Sequence, residues 1–498
     1  MDFLTFSVLV LSILWIYILF QTKARKYSGK LPPGPFPFPV IGNMLQLGNK
    51  PHQSLTKLSK IYGPIMYLRL GCIETIVVSS PEIAKDVLHK YDQVLSSRNI
   101  PTSIAATKHD KYSIAWMPVE SQWRKLRRIC KEQMFSVQRL DKSWDLRQEK
   151  LKKLRDYVNH CCVNGEVVNI GEAAFITSLN LISSTLFSIE LVEFNSSSSR
   201  EFKDVIWSVM ESVASNNFAD YFPLLRYFDP QGVARQAKFS FGKLLAIFDD
   251  IIDQRLKSRG KSTKNDLLET LLDLNQKPQP ELSREDIKRL LLDLFVAGSD
   301  TTSGTVEWSM TELFRNPEKL IKVRDEIRDV IGMNCAVQES DITKLPYLQA
   351  VVKETFRLHP AGAFLIPHKA DMDVNINGYL IPKNAQILVN IWANGRDPNI
   401  WSSPDSFMPE RFLDGKIDFK GRDFELIPFG AGRRICPGMP LAYRMVHLML
   451  ATLICNFEWK LEEGLGPEEI DMGEKFGLTL QKAIPLKAFP IKLRPIAI

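Results

Sequence analysis

The 498-residue chain has no C-x-x-C pair, no H-E-x-x-H and no G-x-S-x-G, so zinc hydrolysis and the usual serine-hydrolase elbow lack support. Neither nucleotide signature is complete. Gly430 and Gly432 open a dinucleotide-like string, but the third glycine is misplaced and Pro428, not a strand, precedes them. Gly260-Lys261-Ser262 has Arg255 where a phosphate loop needs its first glycine. Charge of one sign is scarce as well. The excess of 64 Lys+Arg over 57 Asp+Glu leaves +7, too weak and too spread for a nucleic-acid face. A basic docking surface for an acidic partner or a lipid is the better use of it. No repeat, low-complexity tract or composition shift marks an independent domain, and 45% hydrophobic residues exclude disorder. Seven cysteines, an odd number without regular spacing, do not make a secreted disulfide framework. They fit a reducing compartment, with most of them as packing residues.

Long apolar runs are missing too, except for one. Phe3 to Phe20 is an uncharged stretch of 18 residues, which as a helix covers roughly 27 Å, about one bilayer core. A cleaved signal peptide would want a basic start and a small-residue cleavage site, yet only Asp2 precedes the run. Lys23, Arg25, Lys26 and Lys30 follow it, which keeps that flank cytosolic and points the N-terminus to the lumen. An uncleaved anchor is expected at 1–22. Leu31-Pro32-Pro33-Gly34-Pro35-Phe36-Pro37-Phe38-Pro39 then reads as a stiff connector, completing a basic, proline-rich hinge over 23–39.

In the body, Ile65–Leu70 and Ile73–Val78 are rich in β-branched residues around Gly71-Cys72 and predict a hairpin. Most of the remainder is helical in period. Asn195–Arg200, Lys257–Asn265 and Gln276–Pro280 read as surface loops. One long helix is predicted from an N-cap at Ser283 to about Phe314, roughly 48 Å. Its middle, Ala297-Gly298-Ser299-Asp300-Thr301-Thr302, is poor in helix formers. Small residues permit close approach of a ligand, and hydroxyls can open a helix locally. A polar notch in a core helix is the equally good reading of that hexapeptide alone.

Near the C-terminus lies Pro428-Phe429-Gly430-Ala431-Gly432-Arg433-Arg434-Ile435-Cys436-Pro437-Gly438, opening a helical segment. Backbone amides freed by glycine, two arginines and a helix N-terminus favour thiolate over thiol at Cys436. Such a sulfur is a good soft ligand for iron, although a lone cysteine is more often a buried packing residue.

The whole string Phe429-x-x-Gly432-x-Arg434-x-Cys436-x-Gly438 resembles the haem-ligand signature of the cytochrome P-450 family. Other landmarks of that family follow in order. Ala297–Thr302 is similar to its oxygen-activating hexapeptide, Glu354-Thr355-Phe356-Arg357 to its E-x-x-R pair, and Phe407–Phe412 to its arginine motif. The resemblance implies a mainly α fold with smaller β-sheets (α+β) behind an N-terminal transmembrane anchor. It also implies one haem-thiolate catalytic body over 40–498 in place of the roughly three domains that length alone would allow.

By that resemblance Cys436 is the axial ligand of haem b, and Trp123, Arg127, Arg434 and His368 meet the haem propionates. Phe429 and Gly438 complete the cofactor loop. Glu354, Arg357 and Arg411 form a buried triad behind it, although Glu354 and Arg357 alone could be a surface ion pair worth well under about 1 kcal/mol. Asp300 and Thr301 supply the acid and alcohol of a proton relay for inserting one atom of dioxygen into a C–H bond. Electrons come from NADPH through a separate flavoprotein reductase, docking on part of the cluster Arg124, Lys125, Arg128 and Lys131. Ile114, Ala297, Ala361, Phe364, Leu365 and Leu478 are expected in the substrate pocket. Asn217–Pro223 and Phe228–Gly232 are similar to a plant microsomal subgroup that includes geraniol 8-hydroxylase and ferruginol synthase. A terpenoid hydroxylase of the endoplasmic reticulum membrane follows, abietane-type diterpene ahead of geraniol-like monoterpene. The alternatives are a phenylpropanoid, flavonoid or alkaloid hydroxylase, or a haem-thiolate isomerase, which typically lacks the alcohol.

Overall fold

The structure, a computed structural model, describes residues 29–493 except 195–196, 216, 260–265, 333–336 and 463, together with 5, 7–12 and 15. The anchor expected at 1–22 and the start of the hinge therefore fall largely outside the described residues. Helices dominate and small sheets sit among them, as an α+β reading requires.

The predicted hairpin forms with its predicted bounds, β1 (Ile65–Leu70) pairing antiparallel with β2 (Ile73–Val78). Gly71 makes the turn at φ +57°, a left-handed value that favours glycine. Three short strands extend this sheet: β3 (Ser97–Arg98), β4 (His368–Lys369) and β5 (Gln386–Val389), in the order β1-β2-β5-β4-β3. The register sets Arg98 directly opposite His368. That pairing matters for the site.

The proline segment is docked on this sheet. The Tyr67 amide donates to the Pro33 carbonyl at 2.9 Å, and Asn43 Nδ2 donates to Pro35 at 3.2 Å. A Cβ at Gly34 would lie 1.9 Å from the Tyr67 carbonyl oxygen, so only glycine admits this approach.

Seven helices frame the interior: α1 (Ser121–Gln133), α2 (Ile170–Phe187), α3 (Ser197–Ala214), α4 (Val233–Ser258), α5 (Arg284–Arg315), α6 (Pro346–Leu358) and α7 (Met439–Asn456). Ser197–Arg200, expected in a loop, instead open α3. Serine is at home at a helix start, and buried Ile206 and Val209 anchor the helix beyond it. Helix α2 is apolar enough to cross a membrane by length and composition, but 83% of it is buried inside the protein, so it is a core helix.

Helix α5 begins as predicted, with a reciprocal cap: the Asp286 amide donates to Ser283 Oγ at 3.1 Å and the Ser283 amide to Asp286 Oδ2 at 2.8 Å. The weak helix formers in its middle do not open it. Their hydroxyls donate to carbonyls four residues back, Thr301 to Ala297 at 2.8 Å and Ser299 to Phe295 at 2.8 Å. Gly298 is small for a reason of packing, since a Cβ there would meet Ile182 of α2 at 3.0 Å. Among the described cysteines, Cys130 and Cys161 are buried packing residues, whereas Cys72 is exposed.

Candidate active site

Cys436 sits between a single 3-10 turn (Gly432–Arg434) and the start of α7. Two constraints fix its loop. The Cys436 amide donates to the Phe429 carbonyl at 2.9 Å. Gly432 adopts φ +67° with its would-be Cβ 1.9 Å from the Leu88 carbonyl oxygen, a fit that excludes any side chain. Burial pushes the Cys436 thiol up from its ordinary value, while hydrogen bonds from the Gly438 and Met439 amides and the nearby Arg127 guanidinium pull it back toward thiolate.

The sulfur opens onto a cavity of about 370 Å³. Ile114, Ala297, Ala361, Leu365 and Leu478 line it, as does Thr301. Phe364 does not: it lines an adjoining cavity of about 190 Å³, where it meets Phe476 edge-on at 5.9 Å. Leu365 and Leu478 belong to both walls.

Four nitrogen-bearing side chains crowd one side of the main cavity: Arg98, Arg127, Arg434 and His368. Arg434 donates to the carbonyls of Ser96 at 3.0 Å and Ile114 at 3.2 Å, and Arg127 to that of Ile435. Arg98 donates to Ala115 at 3.1 Å and Pro367 at 3.0 Å. Trp123 lies beneath Arg434, 5.0 Å from ring centre to guanidinium, with its N–H spent on the Ile114 carbonyl at 2.9 Å. His368 Nδ1 is 2.7 Å from the Leu95 carbonyl oxygen, so that nitrogen carries the proton. Desolvation lowers the pKa of Arg98 and His368 well below the ordinary values, and Arg434 adds to both shifts. Among the described residues the hydrogen bonds of these three arginines all go to carbonyls and none to a carboxylate. Buried cations left without an anion are costly, and haem propionates are anions of the right kind to relieve them.

Arg98 escaped the sequence reading, because only the two-residue pairing of β3 with β4 brings it beside His368. Arg98→Leu should shed haem roughly tenfold faster, the loss of one charge-assisted hydrogen bond. Transfer of haem to an acceptor globin measures this, and an unchanged rate would remove Arg98 from the cofactor site.

The Asp300 carboxylate is not part of the cavity wall. It accepts from Thr479 Oγ1 at 2.6 Å and Gln481 Nε2 at 2.8 Å, two partners distant in sequence that nothing local announced. Thr479 lines the cavity, so a hydroxyl stands between the acid and the open space. On α6, Glu354 and Arg357 form a two-pronged pair at 2.8 and 2.7 Å, both fully buried. Arg411 Nε reaches the same carboxylate at 3.1 Å, and the Met408 amide donates to it at 2.7 Å. Phe356, beside this group on α6, stacks edge-on with Phe429 at 5.2 Å, which ties the triad to the cysteine loop. Of the basic cluster, Arg124, Arg128 and Lys131 are exposed, and Arg128 pairs with Glu281 at 3.1 Å.

A soft sulfur facing an apolar cavity, with cations waiting for carboxylates at its rim, is what a haem-thiolate monooxygenase needs from its protein. The chain belongs to the cytochrome P-450 family, whose profile matches residues 32–486. It is 57% identical to cytochrome P-450 76T24 of Catharanthus roseus over 96% of this chain and 97% of that protein. It is 52% identical to ferruginol synthase of Isodon rubescens (95% and 96% covered) and 51% identical to sugiol synthase of Salvia miltiorrhiza (93% and 94%). The enzyme is therefore a monooxygenase that uses haem with a cysteine thiolate ligand and takes electrons from NADPH through a reductase.

Proposed function

We propose that this enzyme hydroxylates a lipophilic terpenoid, an abietane-type diterpene ahead of a geraniol-like monoterpene, in plant specialised metabolism. The observation that carries this reading is the apolar wall of the main cavity, which offers a hydrocarbon skeleton few polar contacts. The likeness to ferruginol and sugiol synthases supports the diterpene over other lipophiles. A panel of terpenes incubated with the enzyme, reductase and NADPH tests it. Hydroxylated abietanes are expected, and turnover of flavonoids alone overturns the reading.

The side-chain roles belong to the same proposal. Cys436 is the axial ligand, and Trp123, Arg127, Arg434, His368 and Arg98 hold the propionate side, with Phe429 and Gly438 shaping the loop. When bound, the haem supplies dioxygen binding and the electron push from sulfur that favours O–O cleavage. Thr301 presents a hydroxyl to the cavity from a helix it does not distort, and so can hold a proton over the reacting centre. Asp300 takes up protons behind it, positioned by Thr479 and Gln481. Glu354, Arg357 and Arg411 keep the cysteine loop in place. The body over 40–498 stays cytosolic on the endoplasmic reticulum membrane, with 1–22 as anchor, 23–39 as hinge and the exposed basic residues of α1 facing the reductase.

Thr301→Val keeps the shape and removes the hydroxyl. Product per NADPH consumed should fall roughly 10- to 100-fold, the scale of a lost proton-transfer group, while NADPH oxidation continues. Parallel assays of NADPH and product read that ratio, and intact coupling would free Thr301 of the role.

A further inference from the structure

Part of the main cavity's wall comes from a segment with little structure of its own. His109, Ile114, Ala115 and Trp116 line the cavity, yet residues 112–119 belong to no helix or strand. A single side chain of α5 holds this segment from one side. Asp293 accepts from His109 Nε2 at 2.7 Å, from Ser113 Oγ at 2.7 Å and from the Ile114 amide at 2.8 Å. Ser113 passes the hold on, because its Oγ accepts from the Ala115 amide at 3.1 Å. His109 and Ser113 are buried, and a carboxylate has about four acceptor sites, so this loading leaves Asp293 little capacity for a ligand. Cations hold the segment from the other side. The Ile114 carbonyl accepts from Trp123 Nε1 at 2.9 Å and from Arg434 at 3.2 Å, and the Ala115 carbonyl from Arg98 at 3.1 Å. The Ile114 peptide is thus clasped at both ends, its N–H to α5 and its C=O to the cationic rim.

We infer that Asp293 is a positioning residue that sets which carbon of the substrate is oxidised, by fixing Ile114 and Ala115 against α5. A segment without ladder hydrogen bonds stands where its side-chain partners put it. A substrate reacts at the atom its walls present, and a wall displaced by about 1 Å presents a different one. Asp293 and Thr301 are eight residues apart on the same helix, about 12 Å along its axis. The carboxylate therefore acts on the wall at a distance from the hydroxyl that serves the chemistry. Among the described residues its hydrogen bonds all go to this segment, so its loss should shift the wall while the cationic rim keeps the haem. This inference rests on the proposed function for the placing of the substrate in the main cavity.

The test is the product pattern of the haem-loaded enzyme, with reductase and NADPH, on three probes that each offer several C–H positions: abietatriene, geraniol and nonylbenzene. The wild type should place most product at one position of each probe it oxidises. Asp293→Asn keeps the size and gives up one acceptor oxygen. The ratio of major to minor product should fall roughly five- to tenfold, the scale of one charge-assisted hydrogen bond, with haem content and the reduced carbon monoxide band unchanged. Ser113→Ala removes the relay to Ala115 and leaves Asp293 in place, and it should shift the ratio in the same direction. Hydrogen exchange reads the hold without turnover: the peptide spanning 109–117 should exchange roughly tenfold faster in Asp293→Asn. Ser303→Ala is the control, because Ser303 Oγ donates to the Asp300 carbonyl within α5 and not to this segment. An even spread from the wild type, an unchanged ratio in both variants, an equal shift in Ser303→Ala, or haem loss with the ratio intact overturns the inference. Where Asp293→Asn fails to fold, Ser113→Ala decides. Selective turnover of nonylbenzene alone, spread by the variants, supports the inference and overturns the terpenoid reading. Terpenes oxidised at one unchanged ratio by every variant do the reverse, and no turnover of any probe overturns both.

Discussion

Cys436→Ser is expected to give a folded protein that forms no product above background and shows no thiolate-type absorbance band when reduced under carbon monoxide. The substitution is small in space and complete in chemistry. The loop is held by the Cys436 amide on the Phe429 carbonyl and by the seat of Gly432 against Leu88, and neither contact uses the sulfur. Backbone and fold therefore survive. Serine, however, offers a hard hydroxyl oxygen that stays protonated, where iron and O–O cleavage want a soft, electron-rich anion. The amides of Gly438 and Met439, which in the native loop offset the cost of burying sulfur, then have no anion to favour. Absorbance spectra and product assays on one preparation are sufficient. A Cys436→Ser enzyme that kept both band and turnover would place the ligand elsewhere.

Glu354→Ala should be the most destabilising single change in the body. Glu354 and Arg357 have no exposed side-chain surface, and Arg411 joins them with 9% exposure. Removing the carboxylate strands one guanidinium in the interior and weakens a second, and it also takes the acceptor from the Met408 amide. Breaking a buried pair in this way costs roughly 3–5 kcal/mol, against a typical total of about 5–15 kcal/mol. The expected result is little haem-loaded protein and a melting temperature lowered by several degrees. Arg411→Ala should be milder, since Glu354 and Arg357 keep their two-pronged contact. Thermal melts and haem content measure both variants. An unchanged melting temperature for Glu354→Ala would mean that the pair is only decorative.

Features set by local chemistry could be read before any coordinates. The hairpin is written in two β-branched runs around Gly71, and the start of α5 in the Ser283–Asp286 cap. The cysteine loop is legible because glycines and arginines surround Cys436 within one short string. What could not be read depends on residues far apart in the chain. Arg98 and His368 meet only through a pairing of two-residue strands. His109 and Asp293 are 184 positions apart, and Asp300 finds Thr479 and Gln481 about 180 positions away. Long side chains make these contacts, and no periodicity of three or four residues encodes them. The loop expected at Ser197–Arg200 failed for the opposite reason: serines read as a break also serve to begin a helix. Phe364 lines the adjoining chamber, where Leu365 beside it turns into left-handed backbone at φ +56° and reaches both walls.

The docking of the proline segment on β1 has a mechanical consequence. With the Pro33 carbonyl bound to the Tyr67 amide and Gly34 pressed against the same strand, the segment is a bracket, not a leash. Pro33 and Gly34 therefore keep a fixed place on the body. A force applied upstream turns the five-stranded sheet as a whole, and with it the β3–β4 edge that carries Arg98 and His368. The bearing of the cavity relative to Pro33–Pro35 is thus set by a strand edge rather than by the length of a linker.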